Sequence, residues 1–243
     1  MIKKKLDDIT LVGIDCLNVE RLAQAMEISQ LGFEFAKVKL LTSLPAGSFS
    51  NIIKIEPINS VEAYSDFVLF ELDKYVDTDY ILLVQYDGFI LNPAAWSDQF
   101  LKYDYIGAPW LIADWSVKMF DVPRELLGQR IVGNGGFSLR SKKLLSLTAK
   151  LGAGKITKRN PEDMAICIYH RDLMEKSGIK FAPVELARQF SFESEGLDNY
   201  FWNGQFGFHG LKWTDISKWT DRHPGYKIDN PATLKKFRKK YLD

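Results

Sequence analysis

The chain of 243 residues has few cysteines, few histidines, no charge excess and no long apolar run, and each shortage removes a class of protein. Cys16 and Cys167 are its two cysteines. They lie in apolar segments without metal-ligand spacing, so a disulfide framework is excluded and they read as buried thiols in a reducing compartment. The three histidines form no H-E-x-x-H and no Cys/His zinc pattern. Lys and Arg number 32 against 31 Asp and Glu, a net charge of +1, whereas a general nucleic-acid binder carries a basic excess. Apolar runs such as 81–84 fall far short of the roughly 20 residues that span a bilayer. The charged start has no apolar segment behind it of the kind a signal peptide needs, so a cytoplasmic location is expected.

What is present suits a folded α/β domain. Residues 9–14 form a short β-rich run ending at Asp15-Cys16, and Asn18 reads as the N-cap of a helix running to about Leu31. Residues 36–41 and 52–55 read as strands. Asn59 or Ser60 can cap a helix whose core side would hold Tyr64, Phe67, Val68, Phe70 and Leu72. Residues 80–84 make the most buried-looking strand. A nearly continuous apolar strand implies a sheet covered on both faces, whose ligands bind at the carboxyl ends of its strands. The aromatic and glycine-rich residues 198–210 read as binding loops closing over the sheet. Residues 1–223 are expected to form one domain and 224–243 an extension ending in a basic helix.

Three constellations can carry chemistry. Gln85-Tyr86-Asp87-Gly88 puts a carboxylate just past a buried strand, a place suited to holding a hard cation, although Asp-Gly also simply makes turns. Gly133-Asn134-Gly135-Gly136 before the strand-like Phe137-Ser138-Leu139-Arg140 suggests backbone passing close to a ligand or another strand, with Asn134 free to bind hydroxyls. It is no P-loop, because the Lys-Ser/Thr pair is missing. Glu162-Asp163 after Pro161 is ordinary helix-start chemistry, yet a carboxylate there can also accept a proton from an attacking hydroxyl. Of the histidines, His209 stands out, with a glycine on its far side and another two residues before it. Trp110, Trp202 and Phe208 offer faces for sugar rings.

In this order the pieces resemble the GT-A fold of nucleotide-sugar glycosyltransferases, from the first strand to about Gly210. The strings Gln85-Tyr86-Asp87-Gly88, Tyr103 to Trp110 (Y-D-Y-I-G-A-P-W), Gly133 to Arg140 (G-N-G-G-F-S-L-R) and Phe206-Gly207-Phe208-His209 resemble a microbial branch associated with surface polysaccharide assembly. The resemblance implies a single Rossmann-like domain with a mixed, mainly parallel central sheet flanked by helices. It implies transfer of a sugar from a nucleotide-diphosphate sugar to a hydroxyl acceptor, a glycan or a lipid-linked one. Asp15, Gln85, Asp87, Asn134, Gly135 and Gly136 would bind the donor. Asp87 and His209 would hold Mn²⁺ or Mg²⁺, and Asp163, with Glu162 beside it, would serve as base in an inverting reaction. Gln85 stands where the family has the first acid of its D-x-D motif and adds no charge to a metal site, which leaves metal-independent transfer open. It also keeps open a non-catalytic module that binds carbohydrate or nucleotide sugar. A nucleotidyltransferase ranks behind both, for lack of a Gly-rich, Lys-bearing first loop. The basic run 234–242 could lie on the inner face of an anionic membrane or be a solvated helix.

Overall fold

A computed structural model describes residues 3–47, 49–193, 201–212 and 214–228. Its elements are β1 (Lys4–Ile14), α1 (Val19–Ser29), β2 (Phe33–Thr42), β3 (Ile52–Lys54), α2 (Val61–Asp66), β4 (Tyr80–Val84), β5 (Tyr105–Gly107), β6 (Pro109–Leu111), α3 (Asp114–Phe120), β7 (Arg130–Val132) and β8 (Phe137–Ser141). There follow α4 (Lys142–Lys155), α5 (Glu162–Met164), α6 (Arg171–Lys176), α7 (Val184–Phe190), β9 (Ser191–Phe192), β10 (Gly207–Phe208) and α8 (Ser217–Thr220). Six strands form one sheet in the order β3-β2-β1-β4-β8-β5. The four strands from β3 to β4 run parallel, and β8 enters antiparallel between β4 and β5. This is the mixed, mainly parallel sheet expected.

Period-two alternation explains why both faces are covered. Leu11, Leu40, Leu82, Val84 and Leu139 point to one core, with Leu22 and Met26 of α1. Val12, Ile14, Leu41, Ile81 and Leu83 point to the other, with Val68 and Leu72 from the turns continuing α2. Each such side chain, fully buried, contributes about 1.5–3 kcal/mol. Ser60 caps α2 by accepting from Ala63 N at 3.1 Å, as expected for one of its two candidates.

Asn18 stands at the N-cap of α1 as expected, although its side chain makes no cap hydrogen bond; Asp15 Oδ1 accepts from Leu17 N at 2.6 Å and Asn18 N at 2.9 Å, so the carboxylate ending β1 organises that corner. One local expectation is corrected. The aromatic stretch near the C-terminus is largely core, because β10 pairs with β9 and draws its side chains inward. Trp202 and Phe208 are buried with Phe89, Phe192 and Trp219, so neither offers a face to a sugar. Tyr226 and Ile228 pack against the same cluster. The basic run 234–242 and residues 194–200 lie outside the described residues. Among the described residues no helix is long and apolar enough to cross a membrane.

Candidate active site

The site forms where the C-terminal end of β4 meets the Gly-rich loop before β8 and the chain after β10. Gln85 and Gly88 close a tight turn through mutual backbone hydrogen bonds of 3.2 and 3.1 Å. The carbonyl of Asp87 accepts from Gly210 N at 2.8 Å, and His209 N donates to Phe192 O at 3.0 Å, so residues 85–88 and 209–210 are held side by side. The imidazole of His209 then sits with Nε2 3.3 Å from Gln85 Oε1 and 3.6 Å from Asp87 Oδ1. The Gln85 amide is oriented from behind, since its Nε2 donates to the Tyr64 hydroxyl at 3.1 Å. Gln85, Asp87 and His209, chosen from two separate strings, are thus neighbours.

The other ring nitrogen faces a group that no motif announced. His209 Nδ1 lies 3.2 Å from Glu193 Oε1 and 2.8 Å from Asn134 Nδ2. Glu193 Oε2 accepts from Asn134 Nδ2 at 2.7 Å and from the Trp110 indole at 2.9 Å. Burial disfavours the charge of Glu193, but the bonds from His209, Trp110 and Asn134 hold its carboxyl below the usual range. Burial likewise opposes charge on the imidazole; Asp87 and then Glu193 outweigh it and raise His209 to about 9.

The glycines of the loop are explained by what presses on them. A Cβ on Gly136 would lie 2.1 Å from His209 Nε2, and one on Gly135 would lie 2.2 Å from Glu162 Oε1. Gly133 carries the Trp110 ring, at 2.1 Å from a notional Cβ. Asn134 has φ 59° and is buried, its Oδ1 accepting from Phe137 N at 3.2 Å. Its side chain therefore braces the loop and Glu193. The string from Tyr103 to Trp110 supports the same loop: Asp104 accepts from Ser141 Oγ at 2.7 Å, and the Tyr105 hydroxyl donates to Asn134 O at 3.0 Å.

Across this loop stand Glu162 and Asp163. Asp163 Oδ2 accepts from Gly135 N at 2.8 Å and Oδ1 from Met164 N at 2.7 Å. Burial and then the neighbouring Glu162 push its carboxyl up to about 7 despite those bonds. Glu162 is buried and paired with the buried Arg140 at 2.7 Å. Arg140 also donates to Gly135 O and Ser138 Oγ, so the pair fastens the Gly-rich loop to the start of α5. Asp15 lies at the end of the neighbouring β1, its carboxylate engaged with the turn below it. Beside Asp87 a cleft of about 170 Å³ opens, walled by Arg21, Gln24, Tyr86, Lys212 and Lys227 over an apolar floor. The Arg21 guanidinium covers the Tyr86 ring at 4.0 Å.

Sequence reasoning missed Glu193, Arg140, Tyr64 and the cleft cations. Glu193 had a signal: like Asp15, it is an acid directly after a strand. Among the described residues no three His, Cys, Asp or Glu side chains are grouped to hold a metal ion. The donors that do converge are one carboxylate, one amide oxygen and one ring nitrogen. That set fits a divalent cation whose remaining ligands are water or the oxygens of a bound molecule.

The family profile described as a protein of unknown function, DUF5672, matches residues 50–209, which contain Gln85, Asp87, Asn134, Glu162, Asp163, Glu193 and His209 but not Asp15 or the cleft residues Arg21, Gln24, Lys212 and Lys227. The chain belongs to the DUF5672 family. No curated protein matches it in sequence. Among solved structures, this DUF5672 protein resembles the galactosyltransferase LgtC in complex with donor and acceptor sugar analogues, with a TM-score of 0.51 and 14% identity over 92% of this chain and 98% of that one. An active-site variant of LgtC matches over the same spans at a TM-score of 0.49 and 14% identity. At that identity the likeness is one of fold: a glycosyltransferase-type sheet with its helices.

Proposed function

We propose that the protein is a glycosyltransferase that moves a sugar from a nucleotide-diphosphate sugar to a hydroxyl group of a glycan or lipid-linked acceptor, in surface polysaccharide or glycoconjugate synthesis. The observation that carries this reading is the meeting of Gln85, Asp87 and His209 at the carboxyl end of β4, one loop away from Asp163, on a sheet like that of LgtC. Asp87, Gln85 and His209 would hold Mn²⁺ or Mg²⁺. A cation held there would supply positive charge to a leaving diphosphate. Asp15 would meet the nucleoside, and the cleft cations Arg21, Lys212 and Lys227 would draw the phosphates in. Gly135 and Gly136 let the donor approach the backbone.

Asp163 is the candidate general base for an inverting reaction. A carboxyl near 7 is matched to taking a proton from a sugar hydroxyl at neutral pH. Glu162, committed to Arg140, acts on Asp163 through its charge and by anchoring the helix start. Trp110 remains half-buried on Gly133, and of the three aromatics expected to face a sugar it is the one outside the buried cluster. The test is thermal-shift and calorimetric binding of nucleoside diphosphates and nucleotide sugars with Mn²⁺ and with chelator, followed by product analysis with the donor that binds. Metal-dependent binding and sugar transfer support the reading. Binding without transfer to any acceptor would favour the non-catalytic module that Gln85 keeps open, and no binding would remove the donor site.

A further inference from the structure

The carboxylate of Glu193 has no part in the donor or base roles above, yet side chains from three separate segments converge on it. Its Oε1 faces His209 Nδ1 at 3.2 Å. Its Oε2 accepts both the Asn134 amide at 2.7 Å and the Trp110 indole at 2.9 Å. The side chain is largely buried, with a relative exposure of 17%. A buried carboxylate with three donors from three different segments is not placed by local sequence chemistry; residues 110, 134 and 209 must all come to it.

We infer that Glu193 is the positioning residue of this site: it holds the His209 ring so that Nε2 points at Asp87 and Gln85, and ties that ring to the Gly-rich loop and to Trp110. An imidazole has two nitrogens and free rotation about its side-chain bonds. Engaging one nitrogen with a carboxylate fixes the ring's orientation and makes the other a better electron-pair donor. With Glu193 absent, Asn134 Nδ2 is the remaining neighbour of Nδ1, and it is itself oriented by Glu193. The second consequence concerns the sugar side. Trp110 and His209 share one carboxylate, so a shift at the cation-holding end reaches the aromatic face beside it.

This inference rests on the reading of Asp87, Gln85 and His209 as cation ligands, so its test carries a readout that does not need the cation. Mn²⁺ binding to the full chain is measured by electron paramagnetic resonance for the wild type, E193Q and D87A, and the crystal structure of E193Q is determined. Glutamine keeps an acceptor for Trp110 but loses the charge and one of the two acceptor oxygens. The expected result is Mn²⁺ affinity weakened about 10- to 100-fold in E193Q, with the His209 ring turned so that Nε2 no longer faces Asp87. Affinity within twofold of wild type and an unmoved ring would overturn the role of Glu193. If the wild type itself takes up no Mn²⁺, the cation reading falls, and the ring position in E193Q alone decides: turned supports positioning, unmoved refutes it. Should E193Q fail to fold, E193D, which keeps the charge but withdraws it, is put through the same two measurements with the same expected and refuting results.

Discussion

Replacing Gly136 by alanine perturbs the site at one atom. The new Cβ would stand 2.1 Å from His209 Nε2 and 2.8 Å from Gln85 Oε1, where ordinary van der Waals contact begins at 3.4 Å. The ring must therefore retreat by about 1.3 Å, the difference of those two separations. A retreat of that size displaces Nε2 from its place beside Asp87, the first of the three groups (Asp87, Glu193 and Asp163) that raise the imidazole to about 9. Overpacking of this kind costs roughly 1–3 kcal/mol. The charge on the ring adds to that, because the elevated value means protonation favours the folded state. The contribution is complete below the ordinary value of 6.5 and disappears as pH rises through about 9. At one pKa unit per 1.36 kcal/mol it amounts to at most about 3 kcal/mol. The assay needs no substrate: the chain has three histidines, and their ring protons can be titrated individually by NMR. In the Gly136→Ala variant the high midpoint should fall toward 6.5. The melting temperature should drop by several degrees at pH 7, with the deficit narrowing above pH 9. An unchanged midpoint near 9 with unchanged stability would refute the packing of His209 on this loop.

Asp163→Asn tests the base and its environment together. A carboxyl whose folded value is raised from 3.8 to about 7 weakens the fold progressively as pH climbs through that interval, so the variant should gain stability relative to wild type between about pH 4 and 7 in thermal melts. Wild-type transfer should rise through about pH 7 with the ionised fraction and be lost in the variant; full activity in Asp163→Asn would sink its role. Arg140→Met strands the buried Glu162 and should cost about 3–5 kcal/mol in denaturant unfolding, whereas the double change Arg140→Met with Glu162→Met should recover most of it. Equal loss in single and double variants would contradict a paired-charge account. Asp87→Ala should abolish the Mn²⁺-dependent thermal shift with nucleotide and, by removing the first of the groups that raise His209, should also lower the metal-free melting temperature at pH 7, with the deficit narrowing above pH 9.

The local elements were legible because their signals are local. The apolar run 80–84, the Ser60 cap, the two strand-ending acids Asp15 and Asp87, and the acidic helix start at Glu162-Asp163 all follow from side-chain chemistry within a few residues. Period and order were enough to expect an α/β sheet covered on both faces, and the family resemblance added that it is mixed and mainly parallel. The partners of those elements were not legible. Glu193 meets Trp110 and Asn134 across 83 and 59 positions, and nothing within its own short strand says so. Phe137-Ser138-Leu139-Arg140 was legible as a strand, but only the insertion of β8 between β4 and β5 shows that Arg140 is buried and paired with Glu162. Trp202 and Phe208 looked like binding loops because aromatic and glycine residues mark both loops and tight cores; only the pairing of β10 with β9 decides between them. Composition, period and capping chemistry thus determined the elements and which residues could do chemistry. Tertiary structure alone determined which of them face one another, because charge, burial and steric room at a site are properties of segments brought together rather than of any one segment.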